Sequence, residues 1–274
     1  MDLTQTLEIA SCTDPGMVRS HNEDSVAADA ANGLVVLADG MGGYNAGEVA
    51  SGMATTVIVT EMQQVLASAR PYNVDPRTSQ EIAARLLREQ VLKANSSIYQ
   101  AAQSQAQYAG MGTTLVVCLF YDNRVLVAHL GDSRLYVLRD GKFKQVTRDH
   151  SLLQEQIDSG LITLEQAKNA QHKNLVTRAL GIDPSVEPEM HEYRTKPGDI
   201  YLLCSDGLCD MVDDDDIGMA LQALGGNLKL CAQQLVQMAN DNGGRDNVSV
   251  ILVRVLREYP AARGVMAKVF AWLK

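Results

Sequence analysis

Short apolar stretches recur along the chain, each bounded by glycine, aspartate or asparagine, and they predict buried strands. Each stretch has the length of a strand and is rich in valine, leucine or isoleucine. The turn pairs Asp122-Asn123 and Asp140-Gly141 separate neighbouring stretches at hairpin spacing, which favours antiparallel pairing. The predicted strands cover residues 34–38, 115–121, 125–130, 135–138, 200–204 and 248–255.

Apolar residues at helical spacing predict three helices between these strands. One covers residues 46–66, a second runs from Ile82 to Ile98, and a third covers residues 227–240. Thr78 and Glu81 have the spacing of a capping box before the second helix. The order is strands, two long helices, many strands, a helix and a last strand. It favours antiparallel sheets with helices outside them over an alternating βαβ fold.

The composition is that of a globular protein with an acidic surface. The 274 residues suffice for one large domain or two small ones. The net charge of -9 argues against nucleic acid as the main partner. Five scattered cysteines without a C-x-x-C pair indicate reduced thiols. Neither a signal peptide nor an apolar run of membrane-spanning length is found, so we expect a cytoplasmic protein.

Four aspartates stand where predicted strands begin or end. Asp39, Asp132 and Asp206 each follow an apolar stretch, and Asp246 precedes one. Strand ends and strand starts alternate along one edge of an antiparallel sheet, so these four can converge. Two like charges ~4 Å apart repel by on the order of 4 kcal/mol at an effective dielectric of 20. A divalent cation such as Mg²⁺ or Mn²⁺ would remove that cost, although turn formation alone explains any single Asp-Gly.

A polar segment near the N-terminus adds a cation to this set. It runs from Arg19 to Asp24 and places a guanidinium shortly before two adjacent carboxylates, Glu23 and Asp24. A guanidinium can bind phosphate oxygens bidentately, while carboxylates hold a metal or metal-bound water. A surface ion pair in a polar turn is equally compatible with this segment alone.

Taken together, six segments resemble the metal-dependent protein phosphatase family, the type 2C or PPM class, in the form of its bacterial stand-alone serine/threonine phosphatases. The resemblance implies an α+β fold, a four-layer α-β-β-α sandwich of two antiparallel sheets flanked by helices. Residues 1–256 would form the phosphatase domain and residues 257–274 a C-terminal amphipathic helical tail. We expect the tail to pack against the domain, with membrane contact as a less favoured alternative. The six segments are residues 19–24, 38–43, 112–114, 131–134, 205–208 and 244–249.

The same resemblance implies a centre of two Mg²⁺ or Mn²⁺ ions. By position, Asp39 would bridge the two metals. Asp206 and Asp246 would complete the shell of one metal. Glu23 and the carbonyl of Gly40 would help to hold the other.

Three further roles follow from the resemblance. Asp24 would bond metal-bound water, Asp132 with Asp206 would hold a third metal, and Arg19 would bind phosphate. The implied reaction is hydrolysis of phosphoserine or phosphothreonine by attack of water activated at the binuclear centre. The expected partners are therefore phosphorylated proteins, the substrates of a serine/threonine kinase.

The general acid of this reaction stays open. Met41 and Tyr44 stand where many eukaryotic and many bacterial relatives, respectively, carry a histidine. The candidates are metal-bound water, Tyr44 and His172, in that order. His172 lies in residues 149–180, which match a mobile flap near the active site and which we call the flap segment. A peripheral helical hairpin is compatible with the same segment, because Thr163 to Gln166 has capping-box spacing.

Other interpretations compete with this one. A module that senses metal or phosphoprotein with little turnover is a binding-class alternative. Cys118 and Arg124 have the spacing of a cysteine-dependent phosphatase but lack the glycine-rich loop between them. Asp132 could instead pair with Arg134 or cap a local turn. The run 213–216 fits a helix N-terminus better than a calcium loop.

Overall fold

The structure is a computed structural model that describes residues 2–43, 46–75, 82–163, 166 and 175–261. Four residues of the sequence predictions lie outside this part of the chain, namely Tyr44, Thr78, Glu81 and His172. Most of the predicted tail also lies outside it, from residue 262 onward.

Two sheets form the centre of the molecule, and every neighbouring pair of strands is antiparallel. The first sheet has the order β1-β11-β10-β7-β8, and the second has the order β2-β3-β5-β6-β9, with β4 paired to β3. The strands are β1 (Leu7–Asp14), β2 (Asp24–Asp29), β3 (Leu34–Met41), β4 (Gly112–Thr113), β5 (Leu115–Tyr121), β6 (Arg124–Leu130), β7 (Arg134–Arg139), β8 (Lys142–Gln145), β9 (Glu189–Arg194), β10 (Ile200–Cys204) and β11 (Val248–Val255).

Helices cover the outer faces of both sheets. The described helices are α1 (Ala46–Ser68), α2 (Ile82–Ser104), α3 (Leu152–Asp158), α4 (Asp206–Cys209), α5 (Asp214–Leu224) and α6 (Leu228–Asp241), with a 3-10 turn at Ala106–Tyr108. The helices α1 and α2 pack on the second sheet, and α5 and α6 pack on the first. The predicted four-layer α-β-β-α sandwich is confirmed.

The central strands are apolar throughout because both of their faces are buried. In β3, Leu34 and Val36 pack toward α1 and α2, while Val35 and Leu37 pack between the sheets. Strands β10 and β11 divide their side chains in the same way, between the inter-sheet core and α5 and α6. Three apolar layers therefore fix the strand positions from which the site is built.

Local signals also match the structure. Asp122 and Asn123 have positive φ angles of 47° and 56°, as the predicted β5–β6 hairpin requires. Asn227 caps α6 by accepting a hydrogen bond from the backbone N–H of Leu230 at 3.1 Å. The run 213–216 starts α5, which confirms the predicted helix N-terminus.

Thr163 and Gln166 form the predicted capping box. The backbone N–H of Thr163 donates to Oε1 of Gln166 at 2.8 Å, and the N–H of Gln166 donates to Oγ1 of Thr163 at 3.2 Å. The spacing of these two residues therefore forecast their mutual contact.

The start of the predicted tail packs against the domain. Tyr259 is buried, and its hydroxyl contacts Oγ1 of Thr195 at 2.7 Å and the carbonyl of Arg124 at 3.1 Å. The N–H of Ala261 donates to Asp122 at 2.7 Å. Among the described residues, no helix combines the length and the apolar character needed to cross a membrane.

Candidate active site

Asp24 and Asp39 face each other where the two sheets meet. They are register partners on β2 and β3. Oδ2 of Asp24 accepts a hydrogen bond from the hydroxyl of Ser205 at 2.8 Å, and Ser205 directly precedes Asp206 at the end of β10. The backbone of Asp39 is fixed by Oγ1 of Thr114, which accepts from its N–H at 3.1 Å. The two sheets thus bring Asp24, Asp39 and Asp206 to one end of the sandwich.

Asp39 lies at the centre of the negative charge. Burial raises the pKa of Asp39 well above its usual range, and the charges of Asp24, Asp206, Asp132 and Asp246 raise it further. Burial likewise raises the pKa of Asp206, with Asp132 among the charges that add to the effect. The structure therefore brings these five carboxylates together.

Arg19 lies at the rim of this cluster. Its Nη2 donates to Oδ2 of Asp246 at 2.7 Å, and the arginine side chain is 54% exposed. Asn247 ties the surrounding loops together, because its Oδ1 accepts from the N–H of Glu23 at 2.8 Å and its Nδ2 donates to the carbonyl of His21 at 2.8 Å. The Arg19 guanidinium is thus held beside the carboxylates while the arginine side chain remains exposed to solvent.

Glu23 and Gly40 lie next to the start of α1. The N–H of Gly40 donates to the carbonyl of Glu23 at 3.1 Å, and the same carbonyl accepts from the hydroxyl of Ser51 at 2.6 Å. A Cβ on Gly40 would lie 2.2 Å from the carbonyl oxygen of Gly47, so only glycine fits there. Burial raises the pKa of Glu23, and the nearby Glu48 carboxylate adds to this shift.

Asp132 belongs to the cluster, and Arg134, its possible ion-pair partner, binds other residues. Arg134 donates to Asp149 through Nε at 3.0 Å and Nη2 at 2.7 Å, and to the hydroxyl of Tyr136 at 3.0 Å. Burial raises the pKa of Asp132 to about 6, and the charge of Asp149 contributes. The geometry thus favours the cluster over the Asp132–Arg134 pair considered from the sequence.

These residues fit divalent cations. Oδ1 of Asp24 is buried and has no hydrogen-bond partner within the described part of the chain. Burial and the neighbouring carboxylates raise the pKa of Asp39 and of Asp206, because positive charges among the described residues offset their negative charges only in part. Hard cations with oxygen ligands, such as Mg²⁺ and Mn²⁺, supply the missing charge in such sites.

A second group of polar side chains contacts the loop that carries Asp132, through a hydrogen bond between Gly131 and His150. His129, His150 and Glu189 place one potential ligand atom each within 4.8 Å of one another. Nε2 of His129 donates to the carbonyl of Arg148 at 3.0 Å. Nδ1 of His150 accepts from a backbone N–H, so Nε2 carries the proton that His150 donates to Glu189 at 3.1 Å. In this neutral state His150 links Gly131 to Glu189 through one hydrogen bond at each ring nitrogen.

Cys118 has neither the exposure nor the acidity of a catalytic thiol. It lies within β5, fully buried, and burial raises the pKa of its thiol. Arg124 donates to Glu192 at 2.7 Å. The cysteine-dependent alternative is therefore wrong.

Sequence reasoning gave no role to several residues that hold the site. Ser205, Asn247, Glu48 and Asp149 all contact or flank the carboxylates or their neighbours. Two signals were available, since Ser205 directly precedes Asp206 and Asn247 directly follows Asp246. Glu48 and Asp149 carry no comparable signal, because only the packing of α1 and the course of residues 146–149 beside β7 bring them close.

A sandwich of two antiparallel sheets between helices, with clustered carboxylates and an arginine at one end, is the architecture of a metal-dependent phosphatase. The Protein phosphatase 2C family matches residues 18–252 of the sequence. The chain belongs to this family.

Named relatives support this membership. The serine/threonine protein phosphatase PstP of Mycobacterium tuberculosis is 40% identical over 254 residues, covering 93% of this chain and 46% of PstP. The chain thus spans about half the length of that relative. The serine/threonine phosphatase stp of Listeria welshimeri is 37% identical over 244 residues, covering 88% of this chain and 93% of stp.

Solved structures agree with the sequence comparison. The crystal structure of M. tuberculosis PstP/Ppp superposes with a TM-score of 0.83 at 38% identity, covering 92% of this chain and 100% of that one. A second PstP structure contains the catalytic domain in complex with two manganese ions. It has a TM-score of 0.79 at 38% identity and covers 92% of this chain and 99% of that one.

Proposed function

We propose that this protein is a metal-dependent serine/threonine phosphatase that hydrolyses phosphoserine and phosphothreonine in proteins. The observation that carries the proposal is the convergence of Asp24, Asp132, Asp206 and Asp246 on Asp39. The two manganese ions in the PstP catalytic domain support a binuclear centre here. The partners would be phosphorylated proteins, substrates of a serine/threonine kinase. The five free thiols support a cytoplasmic location.

The carboxylates would divide the cations among them. Asp39 would bridge two ions, with Asp206 and Asp246 on one ion and Glu23 and the Gly40 carbonyl on the other. When bound, such ions lower the pKa of coordinated water and offset charge on phosphoryl oxygens.

Asp24 and Asp132 would complete the centre. Among the described residues, Oδ1 of Asp24 has no hydrogen-bond partner, while its Oδ2 accepts from the Ser205 hydroxyl, so one oxygen would be available for coordinated water. Asp132 would hold a third ion together with Asp206.

Arg19 would bind the phosphate of the substrate. Its guanidinium already lies 2.7 Å from Asp246, with its side chain exposed to solvent. A planar guanidinium can form two parallel hydrogen bonds to phosphate oxygens, which orients the phosphorus toward the carboxylate cluster. The charge of Arg19 would also stabilise the oxygens as the ester bond breaks.

We keep residues 149–180 as the flap segment near this site. Its two stems are joined at their base, where Ser151 bridges Val176 and the N–H of Leu152 donates to the carbonyl of Leu175 at 2.9 Å. We keep coordinated water, Tyr44 and His172 as the candidates for the general acid, in that order. We also keep residues 1–256 as the phosphatase domain and residues 257–274 as its tail.

The proposal is tested by turnover of para-nitrophenyl phosphate and of a phosphoserine peptide. We expect activity with Mn²⁺ or Mg²⁺, its loss in EDTA, and its return when metal is restored. Asp39→Asn and Asp206→Asn should each remove nearly all turnover, while the exposed control Asp241→Asn should not. Full activity in EDTA, or a wild-type rate in Asp39→Asn, would overturn the metal mechanism.

A further inference from the structure

The loop that leads into Arg19 presents two large apolar side chains to solvent. Met17 is 70% exposed and Val18 is 69% exposed. Both directly precede the arginine to which we assign phosphate binding. Single exposed apolar residues are common on protein surfaces, but two neighbours beside the proposed reaction centre are positioned to meet a substrate.

The loop holds this pair in place from below. Gly16 adopts a φ of +79°, and its N–H donates to Oδ1 of Asp14 at 2.9 Å. The N–H of Met17 donates to the carbonyl of Gly244 at 2.7 Å. A Cβ on Gly16 would lie 2.3 Å from the carbonyl oxygen of Asp246, so the loop lies directly on residues 244–246. The exposure of Met17 and Val18 therefore belongs to an anchored turn.

The apolar pair and Arg19 are fixed to the same support. Met17 is bonded to Gly244, and Arg19 is bonded to Asp246 at 2.7 Å. A peptide chain advances by about 3.3–3.6 Å per residue when extended. A residue next to a phosphoserine bound at Arg19 would lie one such step from it, which is also the step along the chain that separates Val18 from Arg19.

We propose that Met17 and Val18 form a subsite for one apolar side chain that lies one or two residues from the phosphoserine or phosphothreonine. The inference rests on the proposed function and narrows its substrate class. Arg19 attracts the phosphate by charge, and the neighbouring apolar surface gains free energy by covering an aliphatic side chain. The subsite thus favours phosphorylated segments with an aliphatic neighbour over segments with polar neighbours.

The experiment uses phosphoserine peptides of one length and one net charge. Leucine is placed at position -2, -1, +1 or +2, and a reference peptide has serine at all four. The wild-type enzyme should prefer leucine at one or more of these positions by about tenfold in kcat/KM, mainly through KM. In Met17→Ser/Val18→Thr this preference should fall to about twofold or less. Turnover of para-nitrophenyl phosphate, which has no flanking residues, should stay unchanged.

Two controls separate the outcomes. Met219→Ser removes another exposed methionine, 59% exposed on α5, and should leave the peptide preference intact. Val18→Thr alone conserves the shape of the side chain and should lower the preference for leucine in part. It serves as the test if the double variant folds poorly. Equal kcat/KM for all peptides, or an unchanged preference in the variants, would overturn the subsite. If the wild-type protein with Mn²⁺ does not hydrolyse para-nitrophenyl phosphate at all, the proposed function is overturned instead.

Discussion

Gly131 and His150 are joined by two hydrogen bonds. The N–H of His150 donates to the carbonyl of Gly131 at 2.9 Å, and the N–H of Gly131 donates to Nδ1 of His150 at 3.2 Å. Gly131 directly precedes Asp132, and His150 lies in the first stem of the flap segment. Nε2 of His150 donates to Glu189 at 3.1 Å. One neutral imidazole therefore links the Asp132 loop, the flap segment and β9, and burial lowers the pKa of His150 in support of that neutral form.

Two substitutions of His150 should separate these links. Asparagine places an oxygen near the position of Nδ1 and can accept from Gly131, whereas glutamine reaches toward Glu189 and leaves the Gly131 N–H without its acceptor. We expect His150→Asn to keep kcat within about threefold. His150→Gln should lose about 1–3 kcal/mol of unfolding free energy and lower kcat about tenfold, because the Asp132 loop loosens. Urea unfolding and kcat per folded molecule test this, and equal effects of the two variants would contradict it.

Asp132 should matter for rate more than for stability. Arg134 is bound to Asp149, so removal of Asp132 breaks no pair with Arg134. Burial raises the pKa of Asp132 to about 6 because a backbone hydrogen bond and the charge of Arg134 compensate it only in part. Asp132→Ala should therefore leave the melting temperature equal or higher. Turnover should fall at least tenfold if Asp132 holds a third ion. Melting temperature, metal stoichiometry and kcat are measured on one preparation, and an unchanged kcat per folded molecule would end the third-metal hypothesis.

In the metal-free protein, the free energy of unfolding should rise on mild acidification because Asp24, in the carboxylate cluster around Asp39, becomes protonated. Burial raises the pKa of Asp24 from 3.8 to about 6, so the folded state binds more protons than the unfolded state between these values. Its ionised form is therefore destabilising at pH 8, and this cost is lost progressively as the pH falls from about 6 to about 3.8. In EDTA, Asp24→Asn should be more stable than the wild type at pH 8, by on the order of 2 kcal/mol. That difference should shrink toward pH 5.

Comparison of the two proteins isolates this effect from other titrations. Burial lowers the pKa of His129 and His150, which removes stability below about pH 6.5 in both proteins alike. Denaturant unfolding at each pH supplies the difference in free energy. A constant difference from pH 8 to pH 5 would show that Asp24 does not titrate in this range.

The central strands were predictable and the edge strands were not, for one physical reason. A strand buried on both faces must be apolar throughout, and β3, β5, β6, β10 and β11 therefore stand out in the sequence. Strands at the edges of the two sheets face solvent and carry polar residues, as β8 and β9 do. The edge strands β1, β2, β8 and β9 were accordingly absent from the sequence prediction, as was the two-residue β4.

The residues of the candidate site also differ in how well the sequence predicts them. Asp39 and Asp206 could be singled out because each follows an apolar stretch of a central strand, which fixes its position at the end of the sheet. Asp149 lies in no such pattern, and its ion pair with Arg134 depends on how residues 146–149 run beside β7 after β8 ends. The sequence also offered a pair between Asp132 and Arg134, because proximity along the chain was the only distance available.

Arg19 should serve phosphate binding with little effect on metal affinity or stability. Its ion pair with Asp246 is half-exposed, and such pairs contribute at most about 1 kcal/mol. Arg19→Ala should therefore unfold near the wild-type temperature and bind Mn²⁺ with similar affinity.

The guanidinium offers two parallel hydrogen bonds to phosphate, so in Arg19→Ala kcat/KM should fall about 100-fold and the inhibition constant of inorganic phosphate should rise. Arg19→Lys keeps the charge but not the planar fork, and it should recover only part of the loss. Calorimetric titration with Mn²⁺ and phosphate inhibition separate the two roles. Loss of Mn²⁺ binding by folded Arg19→Ala would mean that the arginine acts by holding Asp246 for the metal.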